Sequence, residues 1–317
     1  MQNYDVVVIG GGAAGLNGAL MLARSRRAVL VIDAGEPRNS AAEGIHGLLG
    51  HDGTPPAEFL ERGREEVRRY GGHVVRGEVT GAVRDGDDFV VELADAKKVR
   101  ARRLLVTTGV VDELPHVQGI RERWGRDVLH CPYCHGWEVR DRHIGVLGSG
   151  PNSVHQALLF RQLSDDVMYL THAVVPDDEQ AQQLVSRDIR VIDGDVASLE
   201  VVDGLLAGVR LSDGNLIERD VLVVSTRMVV RAGFLSDLGL RATEHPSGLG
   251  EHIKVDPAGL TEVSGVWAAG NVTDPAAQVG ASAAAGAWAG ARINADLVDE
   301  DTRRAVNRHG GLSSSNP

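Results

Sequence analysis

Cysteine is almost absent from this chain. Its 317 residues include two, and both lie in the segment Cys131-Pro132-Tyr133-Cys134. Two thiols at C-x-x-C spacing act together, and in a reducing compartment such a pair indicates redox or metal chemistry rather than a structural staple. The residues around this pair are therefore the first place to look for function.

Other absences exclude whole classes of function. The net charge of −11 leaves no basic excess for a nucleic-acid surface. No stretch approaches the ~20 consecutive apolar residues that span a bilayer, so no membrane partner is expected. No signal peptide precedes the first apolar strand, and a cytoplasmic location is expected. The composition, 43% hydrophobic and 24% charged, is ordinary for a soluble globular protein.

The pattern of strands and helices predicts an α/β fold. An apolar run from Tyr4 to Ile9 indicates a buried parallel strand, which leads into the loop Gly10–Gly15. A helical segment follows, and then a second strand that ends at Asp33. The same order recurs around the loop Gly148–Ser153. The repeat predicts two doubly wound, Rossmann-like nucleotide-binding domains.

The second of these units is expected to be inserted in the first. A strand and a helix rich in Gly and Ala, roughly Gly280–Val298, come after it. So many small residues predict a helix that packs closely against the first unit. The predicted boundaries are residues 1–114 and 231–317 for the first domain and 115–230 for the inserted domain, which carries the cysteines. A tail from Asn307 onward is expected to be disordered.

The first glycine-rich loop has the features of a dinucleotide site. Gly10, Gly12 and Gly15 form G-x-G-x-x-G between a strand and a helix. Glycines at these positions permit a tight turn and let backbone amides approach a pyrophosphate at the helix N-terminus. Asp33 follows Gly10 by close to the ~20 residues expected for an acid that binds a ribose. The alternative is a glycine turn in a sheet that binds no ligand.

Taken in order along the chain, the motifs resemble the low-molecular-weight thioredoxin reductase group of flavoprotein disulfide reductases. The resemblance rests on Gly10–Gly15 with Asp33, Thr107-Thr108-Gly109, Cys131–Cys134, Gly148–Ser153, the segment Gly265–Asn271, and Gln278. Together these features run through most of the chain. The combination is specific, although each motif alone is not.

The resemblance implies that FAD occupies the first site. The residues expected to hold it are Gly10, Gly12, Ala13, Ala14, Gly15, Asp33, Thr108, Gly109, Gly270, Asn271, Gln278 and Val279. Asn271 departs from the group, which usually has Asp at that position, but Asn still offers an oxygen and a nitrogen. The resemblance also implies that Cys134 is the sulfur on the flavin side and that Cys131 is the exchange thiol facing the substrate.

His135 follows the second cysteine, where thioredoxin reductases carry Asp. Histidine titrates closer to neutral pH and is the better base for an incoming dithiol, so the expected catalytic residues are Cys131, Cys134 and His135. The alternatives are a solvated His135, two inert cysteines, or a zinc site completed by nearby histidines. No metal is expected, because the chain has no second paired ligand motif. His46 or His51 could assist proton transfer, although a surface or capping role is the simpler interpretation.

The second glycine-rich loop departs from the group. Beyond its next strand, thioredoxin reductases have a His-Arg-Arg segment that clamps the 2′-phosphate of NADPH. This chain has His172, Ala173 and Val174 there, and three acids follow at positions 177–179. A 2′-phosphate needs cationic partners, so NADP(H) binding is doubtful. The domain could instead serve as a scaffold and as one side of the substrate site.

Without a nicotinamide donor, electrons must enter from another source. One branch of the group oxidises small dithiols in gliotoxin- and holomycin-type biosynthesis, and the Cys-Pro-Tyr-Cys-His segment and the missing arginines resemble that branch. We therefore expect an FAD-dependent enzyme that oxidises a small-molecule dithiol to an intramolecular disulfide, with O2 as acceptor and H2O2 as product. The alternatives are an NADPH-dependent reductase of thioredoxin and a non-enzymatic redox-sensing flavoprotein. The resemblance also implies a homodimer.

Overall fold

The chain folds as an α/β protein with two Rossmann-like units, which confirms the predicted fold class. This computed structural model describes the backbone of residues 1–313 and the side chains of residues 1–309. The helices are α1 (Ala13–Arg24), α2 (Pro56–Arg69), α3 (Ile120–Arg123), α4 (Pro132–His135), α5 (Ser153–Phe160), α6 (Asp178–Ser186) and α7 (Val279–Ser313). Two 3-10 segments lie at Gly233–Leu238 and Gly270–Val272.

Most of the strands belong to two large sheets. In chain order the strands are β1 (Gln2–Ile9), β2 (Val29–Asp33), β3 (His73–Arg76), β4 (Val79–Asp85), β5 (Asp88–Leu93), β6 (Lys98–Val106), β7 (Val110–Glu113), β8 (Val128–Leu129), β9 (Ile144–Leu147), β10 (Val167–Leu170), β11 (Arg190–Ile192), β12 (Val196–Val202), β13 (Leu205–Leu211), β14 (Leu216–Glu218), β15 (Val221–Val224), β16 (Arg227–Val230), β17 (Thr243–Glu244), β18 (Glu251–His252) and β19 (Val266–Ala268).

The first sheet has the order β3-β2-β1-β6-β5-β4, with β19 also paired to β6. Strands β3, β2, β1, β6 and β19 run parallel, and β4 and β5 extend the sheet antiparallel. Val6, Val7, Val8 and Ile9 are almost completely buried because both faces of the central strand are covered. The apolar run that predicted β1 therefore forms the centre of this unit.

Helix α7 packs along α1 with almost no space between the two backbones. A side chain at Gly286 would overlap the carbonyl of Ala14, and a Cβ on Gly290 would lie 2.6 Å from the carbonyl oxygen of Gly18. The close packing predicted for the Gly/Ala-rich helix is thus confirmed. None of the helices in the described chain is long and apolar enough to cross a bilayer.

Helix α7 is much longer than predicted. Its carboxylates Asp296, Glu300 and Asp301 pair with Arg103, Arg102 and Arg27 on the first unit, and these contacts hold the helix beyond its apolar part. Residues 307–313 are helical, so the disorder predicted from Asn307 onward is wrong over that range. Residues 314–317 lie outside the described residues.

The second sheet has the order β11-β10-β9-β15-β8 and is parallel throughout. It is built wholly from chain that lies between the two parts of the first unit, and the small sheet β12-β13-β14 adjoins it in sequence. Strands β7 and β16 pair antiparallel at the crossing from one unit to the other. This topology agrees with an inserted unit, and the boundaries at residues 114/115 and 230/231 stay a prediction.

Candidate functional site

A cavity of about 1260 Å³ is lined by residues of both units. The predicted cofactor residues that line it are Gly10, Gly12, Ala13, Ala14, Asp33, Thr108, Gly109, Asn271, Gln278 and Val279. The three predicted catalytic residues Cys131, Cys134 and His135 line the same cavity. Residues that are far apart in sequence are thus gathered around one space that is large enough for a dinucleotide and a small substrate.

The loop between β1 and α1 presents an open helix N-terminus to this cavity. Gly10 has a φ of +107°, a conformation that glycine adopts readily. Helix α1 has no side-chain cap and no acid in its first turn, so its first amides stay available. A Cβ on Gly12 would meet no protein atom within 4 Å. This arrangement fits a pyrophosphate at the helix N-terminus.

Gly15 and Gly270 do not line the cavity. A side chain at Gly15 would overlap the carbonyl of Gly10, and a Cβ on Gly270 would lie 2.8 Å from the Cβ of Ala14. Both glycines therefore let other backbone segments approach closely. The structure gives both glycines a packing role, and the cofactor contact expected of them stays a prediction.

Asp33 and Thr108 offer polar groups to the cavity. The Asp33 carboxylate ends β2, where it accepts hydrogen bonds from the Gly35 amide at 3.1 Å and from Arg64 at 3.2 Å. The Thr108 hydroxyl is buried and has no hydrogen-bond partner among the described residues. A buried polar atom without a partner is costly. The orphaned hydroxyl and the open glycine loop both fit a polar cofactor such as FAD.

The Asn271 side chain holds the loop that precedes α7. Its Nδ2 atom lies 3.1 Å from the carbonyl oxygens of Asp274 and Pro275 and 2.8 Å from that of Ala277. An aspartate cannot donate these hydrogen bonds. The departure from the usual Asp therefore has a structural purpose, since the amide nitrogen organises the loop that carries Gln278.

Cys131 and Cys134 form a disulfide, and their Cα atoms lie 5.3 Å apart. Cys131 stands at the N-cap of α4 and Cys134 within that single turn. Both are half-buried at the cavity, so they are not inert core residues. Through residue 309, no group of three or more His, Cys, Asp or Glu side chains is placed to hold a metal ion.

Two aromatic side chains stand exposed beside the disulfide. Tyr133 and Trp137 each have 65% of their surface accessible, and the Arg140 guanidinium lies 4.2 Å from the centre of the Trp137 ring. Large exposed aromatic groups are enriched at binding surfaces. They give the region around the cysteines an apolar surface on which a small organic molecule can rest.

His135 is a neutral base close to the disulfide. Burial lowers the pKa of His135, and the charge of His46 lowers it further, whereas Glu138 and Glu43 act in the opposite direction. Its Nε2 atom is buried and has no partner among the described residues. At neutral pH the imidazole is therefore uncharged and has a ring nitrogen free to accept a proton.

A buried polar cluster lies behind the cysteines, and sequence reasoning missed it. Arg38 binds the Asp112 carboxylate, which also accepts a hydrogen bond from the Thr226 hydroxyl at 2.7 Å. Arg38 also contacts the ring of His130, with 3.4 Å between Nη2 of Arg38 and Nε2 of His130. No spacing rule connects positions so far apart in the chain, so no sequence signal could have found the cluster.

Burial sets the protonation of this cluster. The His130 ring lies almost wholly inside the protein and meets solvent only at the cavity. This burial, together with the charge of Arg38, lowers the pKa of His130 to about 4. Burial alone would raise the pKa of Asp112, but the hydrogen bonds and charge of Arg38 lower it overall. At neutral pH the cluster thus contains a carboxylate, a guanidinium and a neutral imidazole.

The second glycine-rich loop is closed on itself. The backbone amides of Ser149 and Gly150 both donate to the Oγ atom of Ser153, at 3.1 Å, and Ser153 is completely buried. In dinucleotide-binding loops the position of Ser153 is normally Gly or Ala. The amides that would otherwise face a pyrophosphate already have a partner.

The segment that would carry a phosphate clamp is also occupied by structural contacts. The ring of His172 accepts a hydrogen bond from the Val196 amide at 3.1 Å. The acid Asp177 caps α6 in a reciprocal pair with Gln180, which explains why acids follow the strand. Both side chains are thus engaged within the inserted unit, and Ala173 and Val174, which follow His172, carry no charge.

Comparison with known proteins identifies the family. Residues 4–291 match the family described as pyridine nucleotide-disulphide oxidoreductase. The thioredoxin reductase tcpT of Claviceps purpurea is 33% identical over 287 residues, which cover 84% of this chain and 86% of the relative. The thioredoxin reductase sirT of Leptosphaeria maculans is 29% identical over 316 residues, which cover 94% of this chain and 95% of the relative.

Solved structures show the same likeness. The crystal structure of HlmI superimposes with a TM-score of 0.92 at 45% identity and covers 98% of both chains. An oxidoreductase from Agrobacterium tumefaciens gives a TM-score of 0.88 at 37% identity, over 94% of this chain and 99% of its own. The chain belongs to the pyridine nucleotide-disulphide oxidoreductase family, and it is an FAD-dependent disulfide oxidoreductase of the thioredoxin reductase type.

Proposed function

We propose that this enzyme oxidises a small-molecule dithiol to an intramolecular disulfide, with O2 as the electron acceptor and H2O2 as product. The observation that carries the proposal is the closed second loop, in which Ser153 occupies the amides of Ser149 and Gly150. A chain without a working nicotinamide site must obtain its electrons elsewhere. The disulfide at the cavity is the group that can take them from a thiol.

The exchange at the cysteines requires two thiol deprotonations. A first substrate thiol gives its proton to His135, and the resulting thiolate attacks the Cys131 sulfur. The Cys131–Cys134 bond breaks, the Cys134 thiolate leaves, and a mixed disulfide forms. The second substrate thiol loses its proton and attacks the substrate sulfur of that mixed disulfide, which releases Cys131. The Cys131 and Cys134 thiolates take up the two protons that the substrate thiols lost, so the substrate is oxidised by two electrons and the enzyme disulfide is reduced to two thiols.

His135 is suited to the first of these steps. Its pKa lies below the ordinary value, with burial as the largest cause, so the imidazole is ready to accept a proton at neutral pH. A carboxylate at this position would be a weaker base for a thiol of pKa ≈ 8.5. The replacement of Asp by His therefore favours thiol oxidation over disulfide reduction.

FAD would be held along the cavity by the open N-terminus of α1, by Asp33 and by the loop that Asn271 organises. Bound FAD supplies a two-electron acceptor that can be reoxidised by O2. The protein residues place the disulfide at the same cavity and surround it with an apolar aromatic surface. Homodimerisation, expected from the resemblance, stays a prediction.

A second candidate is NADPH-dependent reduction of thioredoxin. The names of tcpT and sirT as thioredoxin reductases favour it. The closed loop and the absence of arginine at positions 173 and 174 oppose it. A redox-sensing flavoprotein without turnover is the remaining alternative.

An anaerobic titration separates these functions. The FAD-loaded protein is mixed in turn with dithiothreitol and with NADPH, and the flavin absorbance is followed. We expect the dithiol to bleach the flavin and NADPH at micromolar concentration to leave it oxidised. Rapid bleaching by NADPH would instead support the reductase. The variant Cys134→Ser should retain FAD but resist bleaching by the dithiol, and full activity of that variant would remove Cys134 from the mechanism.

A further inference from the structure

The groups that must meet in this site come from different units of the fold. The open glycine loop and the loop that Asn271 organises belong to the first unit, whereas the Cys131–Cys134 segment follows β8 of the second sheet. Strands β7 and β16 carry the chain from one unit to the other. Reacting atoms must approach to about 3–3.5 Å, so the site needs a contact that sets the cysteine segment relative to the first unit.

Arg38 makes contacts of this kind. It lies in the loop between β2 and α2 and lines the cavity. Its Nε and Nη2 atoms bind the carboxylate of Asp112 in β7, and Nη2 also lies 3.4 Å from Nε2 of His130, the residue before Cys131. Its Nη1 atom donates a hydrogen bond to the carbonyl oxygen of Pro275 at 3.3 Å. One guanidinium thus joins the crossing strand, the cysteine segment and the loop before α7.

Two of these partners are themselves held by second contacts. The Asp112 side chain is 6% exposed, and its carboxylate also accepts a hydrogen bond from the Thr226 hydroxyl at 2.7 Å, just before the second crossing strand. The Pro275 carbonyl oxygen also accepts a hydrogen bond from Asn271 Nδ2 at 3.1 Å. Arg38 is therefore tied to a crossing point and a cofactor-side loop that are both fixed in place.

His130, the third partner, is also held on more than one side. Its ring stacks on that of Trp124, with 5.5 Å between the ring centres, and its backbone carbonyl accepts a hydrogen bond from Gln156 Nε2 at 2.8 Å. A residue held at both its ring and its backbone moves little by itself. The contact of His130 with Arg38 therefore bears directly on the position of Cys131, the next residue in the chain.

We propose that Arg38 is a positioning residue that sets the distance between the Cys131–Cys134 segment and FAD, and thereby the rate at which electrons pass between them. When the reduced cysteines re-form their disulfide, they lose two electrons and two protons. The electrons pass to FAD, and the protons pass to the reduced flavin or to water. The contacts of Arg38 act on distance and not on the incoming thiol, so the inference goes beyond the proposed dithiol oxidation and holds for either direction of electron flow.

The test uses the full-length, FAD-loaded protein and the variant Arg38→Lys, which keeps a cation beside Asp112 but not the fork that reaches the other two partners. Without oxygen, a phosphine reduces the disulfide, alkylation and mass spectrometry count the thiols, and the flavin absorbance is followed in parallel. A displacement of ~1 Å can cost about 10²-fold in rate, so we expect thiols to form normally while flavin bleaching slows by about 10- to 100-fold. The flavin-to-protein absorbance ratio confirms equal loading. Bleaching that keeps pace with thiol formation in Arg38→Lys would overturn the proposal.

A matched control is Arg27→Lys. The Arg27 side chain is 13% exposed and also joins two segments, because it binds Asn294 at 2.8 Å and Asp301 at 2.7 Å in α7, but it is not among the residues that line the cavity. This variant should keep bleaching coupled to thiol formation. Equal slowing in both variants would mean that general loosening is the cause, and the proposal would fail. Cys134→Ser, which has no disulfide, measures any direct reaction of the phosphine with the flavin.

A second readout needs no electron transfer. Backbone amide exchange, followed by mass spectrometry, should become faster in Arg38→Lys at residues 129–135 and 273–277 together, because both segments lose a common contact. Arg27→Lys should leave both segments unchanged. If thiols form in the unchanged protein while the flavin stays oxidised, the proposed dithiol oxidation fails, and faster exchange at both segments still supports the positioning role of Arg38. Unchanged exchange at both segments in Arg38→Lys would refute that role.

Discussion

Arg38 donates two parallel hydrogen bonds to the Asp112 carboxylate, with Nε 2.7 Å from Oδ2 and Nη2 2.7 Å from Oδ1. Arg38 belongs to the first unit, and Asp112 lies in β7, one of the two strands that cross to the inserted unit. Arg38 also contacts His130, the residue immediately before Cys131. The pair therefore fixes the cysteine segment relative to the cavity.

Removal of one partner should be costly. We expect Asp112→Ala to lower the free energy of unfolding by about 2–4 kcal/mol, because a half-buried guanidinium and the Thr226 hydroxyl lose their carboxylate partner. Urea denaturation measures the change. Arg231→Ala, which removes a more exposed ion pair to Glu36 at 3.6 Å, is the control and should cost ~1 kcal/mol or less. Equal effects of the two variants would contradict this account.

His130 should make the protein sensitive to acid. Its pKa is about 4 when folded and 6.5 ordinarily, so between these pH values the unfolded chain binds a proton that the folded chain does not. Above pH 6.5 the free energy of unfolding therefore has no penalty from His130. As the pH falls toward 4, the free energy of unfolding decreases by roughly 2–3 kcal/mol. Unfolding measured across this range should show a smaller loss in His130→Gln, and an equal loss would refute the assignment.

The roles of the second and third glycines of the first motif, Gly12 and Gly15, can be separated by mutation. Gly12→Ala should fold normally, because its Cβ meets no protein atom, yet it should lose at least about tenfold in FAD affinity since the methyl group enters the cavity. Gly15→Ala should lower the melting temperature, because its Cβ overlaps the Gly10 carbonyl. Thermal denaturation and the flavin-to-protein absorbance ratio distinguish the two effects. Full FAD occupancy in Gly12→Ala would show that no pyrophosphate lies there.

Restoring the usual aspartate at position 271 should weaken FAD binding and loosen the loop before α7. Asn271→Asp replaces a donor to three carbonyl oxygens with a carboxylate that repels them. We expect weaker FAD binding and faster proteolysis of the loop before α7, measured by flavin fluorescence and limited proteolysis. Tighter FAD binding in the variant would mean that the amide has no role in holding this loop.

Much of the fold follows from local patterns. The run Tyr4–Ile9, the glycine loop and the helix after it are encoded by neighbouring residues, so β1 and α1 appear where the sequence predicts them. The length of α7 does not follow from its own residues. Its part beyond the small residues makes ion pairs through positions 296–301 with Arg27, Arg102 and Arg103, and a local pattern contains no information about such distant partners.

The site divides in the same way. The C-x-x-C pair and His135 were predicted because adjacent residues carry the motif, whereas the packing role of Gly15 and Gly270 depends on backbone segments that only the fold brings together. Gly15 has the right place in the sequence motif, but the direction in which its missing side chain would point is set by the turn at Gly10. That direction is a property of the folded backbone.

The sequence by itself determined which chemical groups are present: one pair of thiols, a histidine beside them, a glycine loop suited to a dinucleotide, and Ala173 and Val174 where the group has two arginines. The tertiary structure decided how these groups act together. It placed Ser153 against the amides of the second loop, Arg38 against Asp112, and His46 between Asp52 and Glu138. Side-chain atoms meet, lose water and change their pKa only after the chain has folded, so these contacts cannot be read from spacing along the chain.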